Sequence, residues 1–256
     1  MALSLYVEPA TPLHRRHPVA KVLAMALVFL AAFVLDDPVV IAPLTVLVLI
    51  ATHVGGALGN LWRFRWIIGP VFVFTVLLWV VFYPAQASVP VTRADALRYG
   101  LGMAVKLETF IFTGLLFLAV TTVEEFAWAL TRLGLPYRAS FVLTLAFRLV
   151  PVFLEAALTV RDAQRCRGLD FTRGGVVARI ARYVPVIVPV FIGGLRRADQ
   201  MAFALEVRGF SSGEIRTTLP RAEPDESDVL LVAGAVVLAA IYLGLWMRGI
   251  GDFSVW

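Results

Sequence analysis

Apolar positions along this chain gather into long runs, five of which approach the length that a bilayer core demands. They cover residues 19–35, 39–54, 66–83, 101–121 and 229–247, against the roughly 20 apolar residues that cross about 30 Å of hydrocarbon. The second run is short and contains Pro43, so tilt, a kink or partial re-entry is expected there. Basic residues precede the first run, as in a secretory leader. However, Asp36-Asp37-Pro38 follows it and another apolar run begins at once, which predicts an uncleaved first helix.

Between the fourth and fifth runs the pattern changes. Thr121-Thr122-x-Glu124-Glu125 is a capping-box start with acids in the first helical turn, and Gly134-Leu135-Pro136 stops the helix it opens. A second helix is predicted over about 138–167. Its apolar set Val142, Ala146, Leu149, Phe153, Ala156 and Val160 recurs at three- and four-residue steps, the signature of one buried face. Pro151 is expected to kink or break it. A third helix is predicted over about 176–208, with Pro185 and Pro189 early and Gly193-Gly194 positioned for a close helix crossing. The acidic, proline-containing stretch 220–228 links to the last apolar run.

The second and third helices end alike, in Cys166-Arg167-Gly168 and Val207-Arg208-Gly209. Glycine takes the left-handed conformation cheaply at a helix C-cap, and arginine suits the negative end of the helix dipole. A single such ending is ordinary capping. Two of them on one charged segment suggest a pair of rigid cationic tips that engage something else. Arg148-Leu-Val-Pro151-Val and Arg182-Tyr-Val-Pro185-Val add a weak internal echo between the helices.

Composition fits an integral membrane protein. Hydrophobic residues make up 60% of the 256, charged residues 16%, and mean hydropathy is +0.84, whereas soluble domains average about 45–50% apolar and 25% charged. The net charge of +5 does not argue for nucleic acid, because no basic run is interleaved with aromatics. Arg15, Arg16 and Lys21 flank the N-terminus and Arg63 and Arg65 follow the second run, while Asp36 and Asp37 occupy the first connection. The positive-inside tendency therefore puts the N-terminus in the cytoplasm. Arg93, Arg98 and Asp95 in the third connection weaken that asymmetry. Segment 122–228 then lies in the cytoplasm too. It holds 14 of the 23 basic residues, all arginine, and 12 of the 18 acidic ones. Arginine's planar, multi-donor group suits carboxylate partners, so this is an interaction domain rather than a solubilising loop.

Reaction chemistry is missing. No phosphate-binding Gly-x-x-x-x-Gly-Lys-Ser/Thr loop, His-Glu-x-x-His or Gly-x-Ser-x-Gly occurs. The lone cysteine excludes an internal disulfide, and His14, His17 and His53 do not form a ligand set. No catalytic residue, metal site or cofactor is expected, and the chain is read as a non-enzyme. Lys106 and Glu108 are the main ionisable residues of the spans; a structural or interfacial role is favoured, since lysine can snorkel. A self-contained secondary transporter or membrane enzyme remains the alternative.

Several of these strings occur together in a known family. Leu13-His14-Arg15-Arg16-x-Pro18-x-x-Lys21, Thr122-x-Glu124-Glu125-Phe126, Arg132-Leu133-Gly134-Leu135-Pro136, Arg148-x-x-Pro151, Arg161 to Gly168 and Leu205 to Phe210 follow in order. Over essentially its whole length the chain resembles the transmembrane T component of energy-coupling factor transporters, the family that includes the CbiQ-type cobalt-transport protein. That family usually has alanine before each Arg-Gly, where this chain has Cys166 and Val207.

The resemblance implies an all-α integral membrane protein of about five transmembrane helices, with a cytoplasmic domain of long crossed coupling helices between the fourth and fifth. On that layout residues 1–121 hold the first four spans, 122–228 the coupling domain and 229–256 the last span. It implies two ABC-type ATPases and a substrate-binding membrane S component as partners, a place in the cell membrane, and cargo of the vitamin or transition-metal class. Cys166, Arg167, Gly168, Val207, Arg208 and Gly209 become the ATPase-coupling positions, with each arginine docking into one ATPase.

Overall fold

A computed structural model describes residues 11–86, 92–171, 175–210 and 225–249. Among the described residues there are eight helices and no strand: α1 (Pro18–Val34), α2 (Pro38–Val54), α3 (Leu58–Gln86), α4 (Arg93–Val120), α5 (Val123–Arg132), α6 (Tyr137–Cys166), α7 (Val176–Val207) and α8 (Glu226–Met247). The chain forms two compact units. One lies within Met1–Pro136 and Arg221–Trp256, the other within Tyr137–Pro220.

Local chemistry sets the helix starts. α1 and α2 begin on prolines, whose missing N–H and fixed φ suit the first helical position. Asp37 accepts from the Val39 N–H at 2.9 Å and caps α2. Reciprocal capping boxes open α4 (Thr92 with Asp95), α5 (Thr122 with Glu125) and α8 (Asp225 with Asp228). The box at Thr122 is the one the sequence announces. Helices α3 and α4 begin well before the apolar runs that mark them, at Leu58 rather than residue 66 and at Arg93 rather than residue 101.

The first unit is a bundle of α1 to α5 and α8, with a core of Ala31, Ala32, Leu35, Ile41, Leu44, Ala239 and Tyr242. Named contacts fix its helix directions. Arg98 pairs with Asp37, Thr109 meets Thr45 at 2.7 Å, and Gly55 abuts Leu116 and Val120, so α2 and α4 run parallel. The His17 N–H donates to Asp228 at 3.0 Å at one end, so α1 and α8 start together. Gly100 approaches the Val76 carbonyl and Tyr99 meets Trp79 edge-on at 5.1 Å, placing the end of α3 beside the start of α4. The directions of α1, α2, α3, α4 and α8 therefore alternate as successive membrane crossings must. The chain leaves this bundle after α5 and rejoins it at α8, at the end where α1 starts.

By length and composition, α3, α4, α6 and α8 are each apolar and long enough to cross a membrane. At 17 residues each, α1 and α2 sit at the short limit of the spanning range. α2 continues through Pro43. Together these helices make an all-α multi-pass membrane protein.

Two lysines hold the bundle in ways the sequence does not announce. Lys21, expected as a flanking charge, is buried: its Nζ donates to the His14 and Val120 carbonyls, both at 2.8 Å, and to Glu125 at 3.3 Å. It thus closes the last turn of α4 and joins it to α1 and α5. Lys106 does the same at the other end, donating to the Phe33 carbonyl at 2.6 Å and to Asp36 at 2.8 Å. Helix carboxyl ends leave carbonyls without intrahelical donors, and an ammonium supplies both donor and favourable charge. Lys106 therefore has the structural role expected of it. α5 packs on the bundle through Phe126 against Phe117 and Trp128 against His17.

Candidate functional site

The second unit is a pair of long helices, and its contacts run in reversed order. Phe141 near the start of α6 meets Phe210 just past α7, with ring centroids 4.7 Å apart. In the middle, a Cβ added to Gly194 would lie 2.8 Å from the Phe153 ring, while one on Gly193 would meet nothing. Farther along α6, Gln164 Nε2 donates to the Pro185 carbonyl at 3.4 Å. The helices are therefore antiparallel, and Gly194 is the glycine that permits their close approach.

Neither Pro151 nor Pro185 and Pro189 break these helices. Proline at position i leaves the carbonyl of i−4 without its helical donor. Pro189 thus orphans the Pro185 carbonyl, which is the one Gln164 reaches. The face of α6 turned to α7 also differs from the expected set. It carries Tyr137, Phe141, Phe153, Ala157 and Gln164, while Val142 and Ala146 are exposed. Thr144, Arg148, Glu155, Thr159 and Asp162 fall on one stripe of α6, and the apolar surface opposite is wider than one neighbouring helix covers, so periodicity does not select the packed strip.

Both helices end in the same construction. Gly168 has φ +85° and Gly209 φ +69°. The Gly168 N–H donates to the Arg165 carbonyl at 2.9 Å and Leu169 N–H to the Gln164 carbonyl at 3.1 Å. The Gly209 N–H donates to Glu206 and the Phe210 N–H to Leu205, both at 2.9 Å. These are two Schellman caps with glycine at the left-handed position. Arg167 and Arg208 are the C-cap residues themselves, one position beyond the helical Cys166 and Val207. Gly134 closes α5 in the same way.

All six expected positions lie at these ends. Cys166, Arg167, Gly168, Val207 and Arg208 are exposed and Gly209 is half-buried. No described residue hydrogen-bonds to or ion-pairs with either guanidinium. The neighbouring arginines differ: Arg161 and Arg165 share Asp162, and Arg182 donates to the Asp170 carbonyl at 2.8 Å. Because the helices are antiparallel, the two triplets stand at opposite ends of the pair. At 1.5 Å per residue, the 30 residues of α6 measure about 45 Å. The sequence gives the tips; their opposition comes from tertiary packing.

The fold and these paired ends define a class: a multi-pass, all-helical membrane protein carrying an antiparallel pair of arginine-capped helices. The CbiQ family model, described as cobalt transport protein, matches residues 9–219. The chain belongs to this EcfT/CbiQ family of transmembrane transport proteins. It is 28% identical to the energy-coupling factor transporter transmembrane protein EcfT of Acidaminococcus fermentans, across 97% of each chain. It is 31% identical to that of Thermanaerovibrio acidaminovorans across 86% of each. The protein of the same name from Bacillus subtilis is 32% identical over 51% of this chain and 52% of its own length.

Proposed function

We propose that this chain is the transmembrane coupling subunit of an energy-coupling factor importer, passing ATP-driven motion of two cytoplasmic ATPases to a substrate-binding membrane subunit. The carrying observation is the pair of exposed, identically capped arginines at the two ends of one antiparallel helix pair. Each end offers a guanidinium on a stiff helix, suited to a carboxylate in an ATPase groove. A charge-assisted hydrogen bond contributes roughly 1.5–3 kcal/mol, and a buried carboxylate deprived of its partner costs about 3–5 kcal/mol. Two such contacts give bivalent attachment stronger than either alone. The chain itself is non-catalytic on this reading, and the cargo is of the vitamin or transition-metal class.

Residues 1–121 would hold four spans, 122–228 the cytoplasmic segment with its coupling helices, and 229–256 the last span, with the N-terminus in the cytoplasm. α6 is apolar enough to cross a bilayer, yet it carries Arg148 and Glu155, both exposed, along its middle. A central arginine costs about 2.5–3.5 kcal/mol in a membrane, which favours a place for α6 outside the hydrocarbon. The cationic Arg15, Arg16, Arg63, Arg65 and Arg132 belong to the bundle end from which the chain leaves. That is the end the positive-inside tendency assigns to the cytoplasm.

Affinity purification through a tagged copy of this chain, co-expressed with its ATPases, tests the proposal. Arg167→Glu combined with Arg208→Glu should insert normally and lose the ATPases. Recovery of ATPases at wild-type level with the double variant would end the coupling assignment.

A further inference from the structure

The start of α3 carries a cluster that the coupling role does not use. Trp62, Arg63, Arg65 and Trp66 are all exposed, with the two tryptophans at 72% and 76%. The Arg65 guanidinium lies 4.1 Å from the Trp62 ring centroid and 5.6 Å from that of Trp66. Salt bridges among the described residues leave Arg63 and Arg65 without a carboxylate. Beyond the cluster the helix continues as an apolar span with exposed Ile67, Val73, Phe74, Leu77 and Val81, and its most apolar window contains no buried residue. With α3 spanning the bilayer, the Trp-Arg end of this apolar, exposed face falls at the headgroup layer.

We propose that Trp62, Arg63, Arg65 and Trp66 form a binding site for the headgroup of an anionic phospholipid. Amphipathic tryptophan rings settle at the membrane–water boundary. Stacking on Trp62 and Trp66 holds Arg65 in place, and planar guanidinium groups match phosphate oxygens with paired donors. Two uncompensated cations within three residues favour a lipid with net negative charge over a zwitterionic one. The exposed apolar side chains of the next turns receive its acyl chains. The proposal requires only membrane embedding and is independent of ATPase coupling.

The test is native mass spectrometry of the full-length protein released from detergent, titrated with phosphatidylglycerol or phosphatidylcholine of matched chains. Wild-type protein should retain phosphatidylglycerol preferentially, and Arg63→Gln/Arg65→Gln should lower that preference by about fivefold per arginine removed. Arg196→Gln/Arg197→Gln, exposed cations on α7, should leave it unchanged. Equal retention of the two lipids by the wild type would overturn the proposal, and so would an undiminished preference in the Arg63/Arg65 variant. Because the wild-type comparison stands alone, poor folding of a variant cannot mask the answer. Loss of ATPase binding elsewhere leaves this readout untouched.

Discussion

A Cβ placed on Gly102 would overlap the Asp36 carbonyl oxygen. The midpoint of the turn between α1 and α2 thus rests directly on the α4 backbone. Pro38 Cδ would be only 3.1 Å away. Asp36 and Asp37 are held at the same place by Lys106 and Arg98 of α4.

Gly102→Ala should therefore force α4 away from this turn, a backbone overlap that costs about 3 kcal/mol or more. Thermal unfolding in detergent would show a clear fall in midpoint. Gly114→Ala on the same helix, where an added Cβ meets nothing, should be neutral or slightly stabilising. Equal midpoints for the two variants would contradict the packing.

Lys21→Met should destabilise the bundle by about 3 kcal/mol, because it strands the Val120 carbonyl and leaves Glu125 without its cation. Glu125→Gln should cost less, about 1 kcal/mol, since that carboxylate is 25% exposed. Denaturant or thermal melts of the two variants under one condition decide the order.

The antiparallel pairing of α6 and α7 can be trapped covalently. In a Cys166→Ser background, Phe141→Cys with Phe210→Cys should be bridged by a bifunctional methanethiosulfonate reagent, which spans the space left by the two rings. Phe141→Cys with Tyr183→Cys should not, because Tyr183 packs against Phe171 at the other end of the pair. Gel mobility with and without reductant gives the readout.

The cap glycines offer a graded test of the coupling tips. Gly168→Ala or Gly209→Ala places a side chain at positive φ, at about 1–2 kcal/mol, and should fray each tip without removing its arginine. ATPase recovery should fall, by less than for the corresponding Arg→Glu change. Gly209→Asn should lie nearer wild type, because asparagine tolerates the left-handed region.

Thiol labelling from either face of oriented vesicles checks the topology. In the Cys166→Ser background, Arg15→Cys and Leu133→Cys should label from one side, and Arg93→Cys and Arg248→Cys from the other. The positive-inside assignment makes the first side cytoplasmic.

Helices whose ends coincide with local punctuation were readable to within a residue or two. Pro18 and Pro38 open α1 and α2, Gly168 and Gly209 close α6 and α7, and Thr122 opens α5. The starts of α3 and α4 escaped because they extend through polar residues that a hydrophobic run excludes, among them Asn60 and Asp95. The arginine tips were legible for the same local reason. The long-range roles were not: nothing near Lys21 in sequence announces the Val120 carbonyl 99 residues away. Nor does the repeated Arg-Gly ending carry the direction in which the two helices pair.

The His17–Asp228 contact also makes the bundle separable from what the chain inserts into it. Helix α8 is tethered to α1 at its start by that bond and to the Val40 carbonyl near its finish by the Tyr242 hydroxyl. Neither anchor involves residues 137–220. Excising them and bridging the gap with a glycine-serine tether should leave the bundle of membrane helices packed, without the helix pair to which coupling is assigned.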